Sequence, residues 1–130
     1  MRFSRVVFRI AGIYGILVLA PGLFAEKPIG AQFPPAITHP EFYYGFFGVA
    51  MAWQVAFLII AGDPLRFRAI IPAAILEKLG YTIATAALLA AGRLNPMLAA
   101  SGLGDLLFAV LFTICYARLG KLSARAATSQ

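Results

Sequence analysis

Four apolar runs, each about as long as a bilayer is thick, decide what this chain can become. They cover residues 6–24, 43–62, 69–92 and 99–117. A helix rises 1.5 Å per residue, so about 20 residues cross a ~30 Å hydrocarbon core. Inside lipid no water satisfies backbone N–H and C=O groups, so such runs must be helical. The prediction is an all-α bundle of four transmembrane helices, one integral membrane domain over residues 1–130. Composition agrees. The chain is 62% hydrophobic and 12% charged, where a soluble domain carries about 25% charged residues.

The first run, with Arg2 and Arg5 ahead of it, can be compared with a secretory leader ending at Leu23-Phe24-Ala25. Leu23 is too bulky three residues before a cut, and Arg9 interrupts the apolar stretch, so a retained span is expected. Gly12 and Gly15 give it a small surface that a neighbour can approach, and Pro21-Gly22 should loosen its last turn. The connection EKPIGAQFPPAITHP holds four prolines and is expected to be extended. Thr38-x-x-Glu41 has capping-box spacing, and Pro40 suits a first helical turn.

In the second span Tyr43 and Tyr44 sit where an interfacial aromatic belt belongs. Gly45, Gly48 and Ala52 share a face that reads as a packing seam. Asp63 reads as an N-cap and Pro64 as the first residue of the next helix, in which Pro72 is expected to introduce a kink. Arg93-Leu94-Asn95-Pro96 forms the third turn, and Ala124 to Gln130 a frayed polar tail.

The net charge of +6 has no basic helix or aromatic-basic motif behind it. The charges fall at the ends of the apolar runs, which points to a lipid bilayer and not to nucleic acid. Eight Lys and Arg residues flank one side: Arg2, Arg5 and Arg9, then Arg66 and Arg68, then Arg118, Lys121 and Arg125. The other side has Lys27 and Arg93. This bias predicts a multi-pass protein of the bacterial inner membrane, N-in/C-in, with both termini cytoplasmic.

Charged groups inside a span cost roughly 2.5–3.5 kcal/mol each at the centre, so they face the bundle interior. With Glu77 set at zero on a helical wheel, Tyr81, Thr85, Lys78 and Thr82 lie at about 40°, 80°, 100° and 140°. Ile75, Leu76, Leu79 and Ile83 cover the opposite arc. In the fourth span Asp105 shares a face with Ser101, Gly102, Ala109, Thr113 and Tyr116. Counted from the cytoplasmic boundary, Arg9, Glu77, Gln54 and Asp105 lie at depths of about 5, 12, 14 and 21 Å. A polar core of Arg9, Gln54, Glu77, Lys78, Tyr81 and Asp105 is expected. Glu77 and Lys78, adjacent in sequence, should each find a partner on another helix, with Arg9 reaching Glu77 from below.

Small multidrug resistance exporters share this size but carry their membrane carboxylate in the first helix, where this chain has Arg9. The glycine-rich arginine motif of fluoride channels is missing. The layout resembles DoxX-like and similar four-helix bacterial membrane proteins. The resemblance rests on Tyr44-Gly45-x-x-Gly48, Asp63-Pro64-x-Arg66-x-Arg68 and Glu77-Lys78-Leu79-Gly80. It implies the four-helix plan and carries over no functional residues.

No nucleophile–base pair, metal-ligand cluster or phosphate loop stands out, so neither enzyme chemistry nor a cofactor is expected. His39 is the only histidine and Cys115 the only cysteine, which argues against a metal site and excludes an internal disulfide. Two functions fit. The first is an accessory or structural membrane component, in a homodimer or with a membrane protein partner, its polar network locking the helices. The second is a small transporter or ligand-binding protein that uses Glu77. A cavity at Glu77 and Lys78 favours the second; a closed network favours the first.

Overall fold

The computed structural model describes the backbone of residues 1–128 and the side chains of residues 1–124. Among them, four helical segments are long and apolar enough to cross a membrane: Arg2–Phe24, Pro40–Gly62, Arg68–Ala90 and Pro96–Ala124. The chain is an all-α bundle of the predicted plan. Helix α1 (Arg2–Leu19) gives way at Ala20 to a 3-10 turn through Phe24, where Pro21 removes a backbone donor. Helix α2 is Glu26–Gln32 and α3 is Pro40–Gly62. A 3-10 turn at Arg68–Ile70 leads into α4 (Ile71–Ala90). The short α5 (Pro96–Ala99) precedes α6 (Ser101–Thr128).

Several local expectations change. The connection after α1 is not wholly extended, because Pro28 falls in the first turn of α2, where its missing N–H costs nothing. At the start of α3 no side chain caps the helix. Thr38 forms no capping box; His39 is the N-cap, and Glu41 bonds its ring at 3.2 Å. Pro72 does not kink α4. It stands in the first turn of that helix. Asp63 accepts the Arg66 N–H at 3.2 Å within a turn, but neither it nor Pro64 starts the helix: the N-cap of α4 is Ile70, after the 3-10 turn. The last helix carries on through Thr128 with no fraying at Ala124, since Lys121 and the alanines that follow are good helix formers. Residues 129 and 130, and the side chain of Arg125, lie outside the described residues.

The bundle is built from two helix pairs, α1 with α3 and α4 with α6. Gly12 and Gly15 let the first pair close. A Cβ at Gly12 would stand 2.8 Å from Leu58, and one at Gly15 would overlap the Gln54 amide. Gly102 does the same for the second pair, lying against Thr85. Thr82 Oγ1 donates to the Gly102 carbonyl at 3.1 Å. The expected seam on α3 is different: Gly45, Gly48 and Ala52 are exposed, and nothing lies within 4 Å of a Cβ added at either glycine. Small residues permit close approach on any face, and Gly12 and Gly15 engage the opposite face of α3.

The two pairs meet around three rings from three helices, near the end that carries the termini. Phe8 stacks on Phe112 at 4.3 Å between centroids, and Phe57 meets Phe112 edge-on at 5.0 Å. All three are fully buried, with Ile60, Ile71, Ala74, Cys115 and Leu119 packed around them. This apolar plug closes one half of the bundle. At the same end Arg68 donates to the Tyr116 carbonyl and stacks 4.0 Å over its ring, and Arg118 lies 4.6 Å over Phe3.

Candidate functional site

Above the plug the two helix pairs stand apart around a cavity of about 460 Å³. Helices α1, α3 and α6 contribute the half that lies away from the termini, and α4 contributes its middle. Helix α1 lines it from Ala11 to Leu19, α3 from Phe46 to Gln54, and α4 through Glu77, Lys78 and Tyr81. Helix α6 adds Ser101, Gly104, Asp105 and Phe108. Ala25 and Ile29 lie over the far end, held there by the α1–α3 connection. That connection is tied down by two tyrosines of the expected aromatic belt. Tyr43 donates to the Gly22 carbonyl, and Tyr44 donates to the Glu26 carboxylate at 2.8 Å.

A charged triplet lies on the cavity wall. Lys78 Nζ is 3.1 Å from Asp105 Oδ1 on α6 and 3.3 Å from Glu77 Oε2 on its own helix. The ring of Phe57, part of the plug, lies 5.2 Å beneath the ammonium. The side chain of Lys78 is 8% exposed, that of Glu77 17% and that of Asp105 24%. The Glu77 contact is the looser one. Nζ donates to Oε1 at 3.5 Å, and Oε2 takes no hydrogen bond from the described residues. Across the cavity Gln54 is 1% exposed and donates its amide N–H to the Ala50 carbonyl at 2.9 Å. Its Oε1 is buried without a donor. One buried acceptor oxygen on the cavity wall, Gln54 Oε1, therefore has no donor among the described residues, where buried polar groups are normally paired.

Five of the six residues expected in the polar core line this cavity: Gln54, Glu77, Lys78, Tyr81 and Asp105. Arg9 does not; it is exposed on α1 and absent from the cavity wall. About one and a half helical turns separate it from Tyr14 and Gly15, and Phe8 beside it takes the inward direction. Lys78 finds its partner on another helix, as expected, but Glu77 does not. Its ion-pair contact is its own neighbour, because Lys78 is long enough to bend back towards it. Tyr81 bonds Ser101 Oγ at 2.9 Å, joining α4 to α6 above the triplet.

The aromatic part of the site was not legible in the sequence. Tyr14 on α1 meets Phe108 on α6 at 5.9 Å, and Phe46 on α3 meets Tyr81 on α4 at 5.9 Å. Each pair bridges the two halves of the bundle, so rings wall the cavity on both sides. Aromatics scattered through apolar helices look the same in sequence whether they face lipid or a cavity. The one available hint was that Phe108 follows Asp105 by three residues, on the same helical face.

Among the described residues no three His, Cys, Asp or Glu side chains form a group able to hold a metal. Compared with known proteins, the chain matches no family model, no curated protein and no solved structure.

Proposed function

We propose that this chain is a small ligand-binding protein of the bacterial inner membrane, its ligand held among the helices at Glu77, Lys78 and Asp105. The observation that carries the reading is the cavity of about 460 Å³ with the charged triplet on its wall. Ligand pockets are typically about 300–1,000 Å³, mostly apolar, with a few convergent polar groups. A network that served only to lock helix register would have no reason to leave this space, or to leave the buried Gln54 Oε1 without a donor.

The basic residues around the apolar plug support a reading in which that end, with both termini, faces the cytoplasm. The cavity then faces the outer half of the bilayer, and transport requires the Phe8–Phe57–Phe112 plug to open. The test is binding to purified protein in lipid nanodiscs, by ligand-observed NMR with a fragment set. Binding should occur and should be lost in Glu77→Gln that melts like the wild type. A folded Glu77→Gln that binds equally well rejects the reading.

One observation favours a second role. Gly45, Gly48 and Ala52 form an open, small-residue face on α3 of the kind that membrane helices use to approach each other. On this reading the protein is an accessory component that docks a membrane partner or a second copy. Gly48→Leu should then abolish co-purification or intermolecular cross-linking and leave the cavity intact.

A further inference from the structure

We propose that the cavity selects an organic monocation that carries N–H donors and one aromatic or short aliphatic body. The proposal rests on the ligand-binding reading above and names the class of ligand.

Charge is the first argument. The charged residues on the cavity wall are Glu77, Lys78 and Asp105, with none from α1, α2 or α3. With all three ionised they sum to one negative charge. The single ammonium is already engaged by both carboxylates and the Phe57 ring. It has little left to offer an anion, while the second carboxylate, when ionised, has no cation of its own. Burying an unpaired charge is expensive, and a cationic ligand relieves it.

Hydrogen bonding is an independent argument. Among the described residues, Gln54 Oε1 is a buried acceptor without a donor, and Glu77 Oε2, also an acceptor, has only its 3.3 Å ion-pair contact with Lys78. The Gln54 oxygen faces Gly15, which offers no side-chain donor, while the amide nitrogen donates to the Ala50 carbonyl. A ligand that completes this wall must bring donors. An ammonium with N–H groups supplies charge and donors together. A carboxylate supplies neither, and a quaternary ammonium supplies charge alone.

Shape completes the case. Tyr14, Phe46, Phe47, Tyr81 and Phe108 line the cavity around the polar groups. Ring faces attract a cation lying over them and pack against an apolar body. The result is a site with a polar floor and aromatic walls.

The experiment uses four probes that share one phenethyl body: phenethylammonium, its N,N,N-trimethyl analogue, 2-phenylethanol and phenylacetate. Each is titrated into the full chain in nanodiscs and followed by calorimetry. The expected order has the primary ammonium at least tenfold tighter than the alcohol and the acid, and tighter than the trimethyl analogue. Glu77→Gln, checked for folding by its melting profile, should abolish the preference. If this variant does not assemble, Asp105→Asn, which removes the same charge from the other helix, carries the comparison. Equal or tighter binding of the alcohol or the acid overturns cation selection and leaves the ligand-binding reading standing. Equal binding of the trimethyl analogue overturns the role of the donors. If no probe binds at millimolar concentration, both the proposal and the reading beneath it fail.

Discussion

Replacing Lys78 by Met keeps most of its volume and removes the ammonium from between two carboxylates. Its Nζ lies 3.1 Å from Asp105 and 3.3 Å from Glu77. At an effective dielectric of about 20, each contact is worth about 5 kcal/mol of bare attraction. Most of that is offset by the cost of taking the charges out of water. The net loss on removing one partner of a buried pair is about 3–5 kcal/mol. Here the loss belongs at the upper end, because one ammonium serves two carboxylates and its removal doubles the uncompensated negative charge on the wall. Glu77→Gln makes the opposite change. It leaves the 3.1 Å pair intact, gives up the looser contact and neutralises the cavity, so its cost should be no more than about 1 kcal/mol. Adding Glu77→Gln to Lys78→Met should therefore recover part of the loss. The Lys78→Met/Glu77→Gln/Asp105→Asn variant, with no charge left, should recover most of it. The assay is reversible unfolding in mixed micelles, with the four proteins compared as a cycle. The reasoning is refuted if Lys78→Met is no less stable than Glu77→Gln, or if the second substitution fails to restore stability.

Gly15→Ala should destabilise the bundle by about 1–3 kcal/mol, since the new methyl group overlaps the Gln54 amide. Gly48→Ala, with open space around it, should be neutral or more stable by up to about 1 kcal/mol; thermal melting in detergent compares the two directly. Phe112→Ala removes the ring that joins Phe8 and Phe57 and should cost about 3–5 kcal/mol, visible as a lower unfolding midpoint. Arg68→Lys loses both the bond to the Tyr116 carbonyl and planar stacking on that ring, which a compact ammonium reproduces poorly. It should cost about 1–2 kcal/mol, read in the same unfolding assay.

Much of the fold could be read residue by residue because lipid imposes a local rule. A run too apolar for water and long enough to span must be a helix, and its polar stripe must face inward. So Lys78 and Thr85 are buried, and Glu77, Tyr81 and Thr82 are half-buried, while Leu76 and Ile83 are exposed. The same rule placed Gln54 inside, and proline's fit to a first helical turn set Pro40 at a helix start, whereas Pro96, expected in a turn, begins α5. It failed where two faces of one helix looked equally suitable. Gly45, Gly48 and Ala52 matched the small-residue pattern as well as any seam in the chain, yet α1 packs on the other side of α3 around Gln54. It failed again for Arg9, since a cation about two turns from the helix start can turn outward as readily as inward.

Sequence by itself therefore determined the number of spans, their inward stripes and the basic end of the bundle, because hydropathy acts along a single helix. Only the tertiary structure decided that α1 pairs with α3 and α4 with α6. From that pairing follow the bridge of Lys78 to Asp105, the plug of rings at one end and the cavity at the other. These depend on which side chains from distant parts of the chain fit against each other. A space among four helices is a property of their arrangement, and no single helix carries its signature.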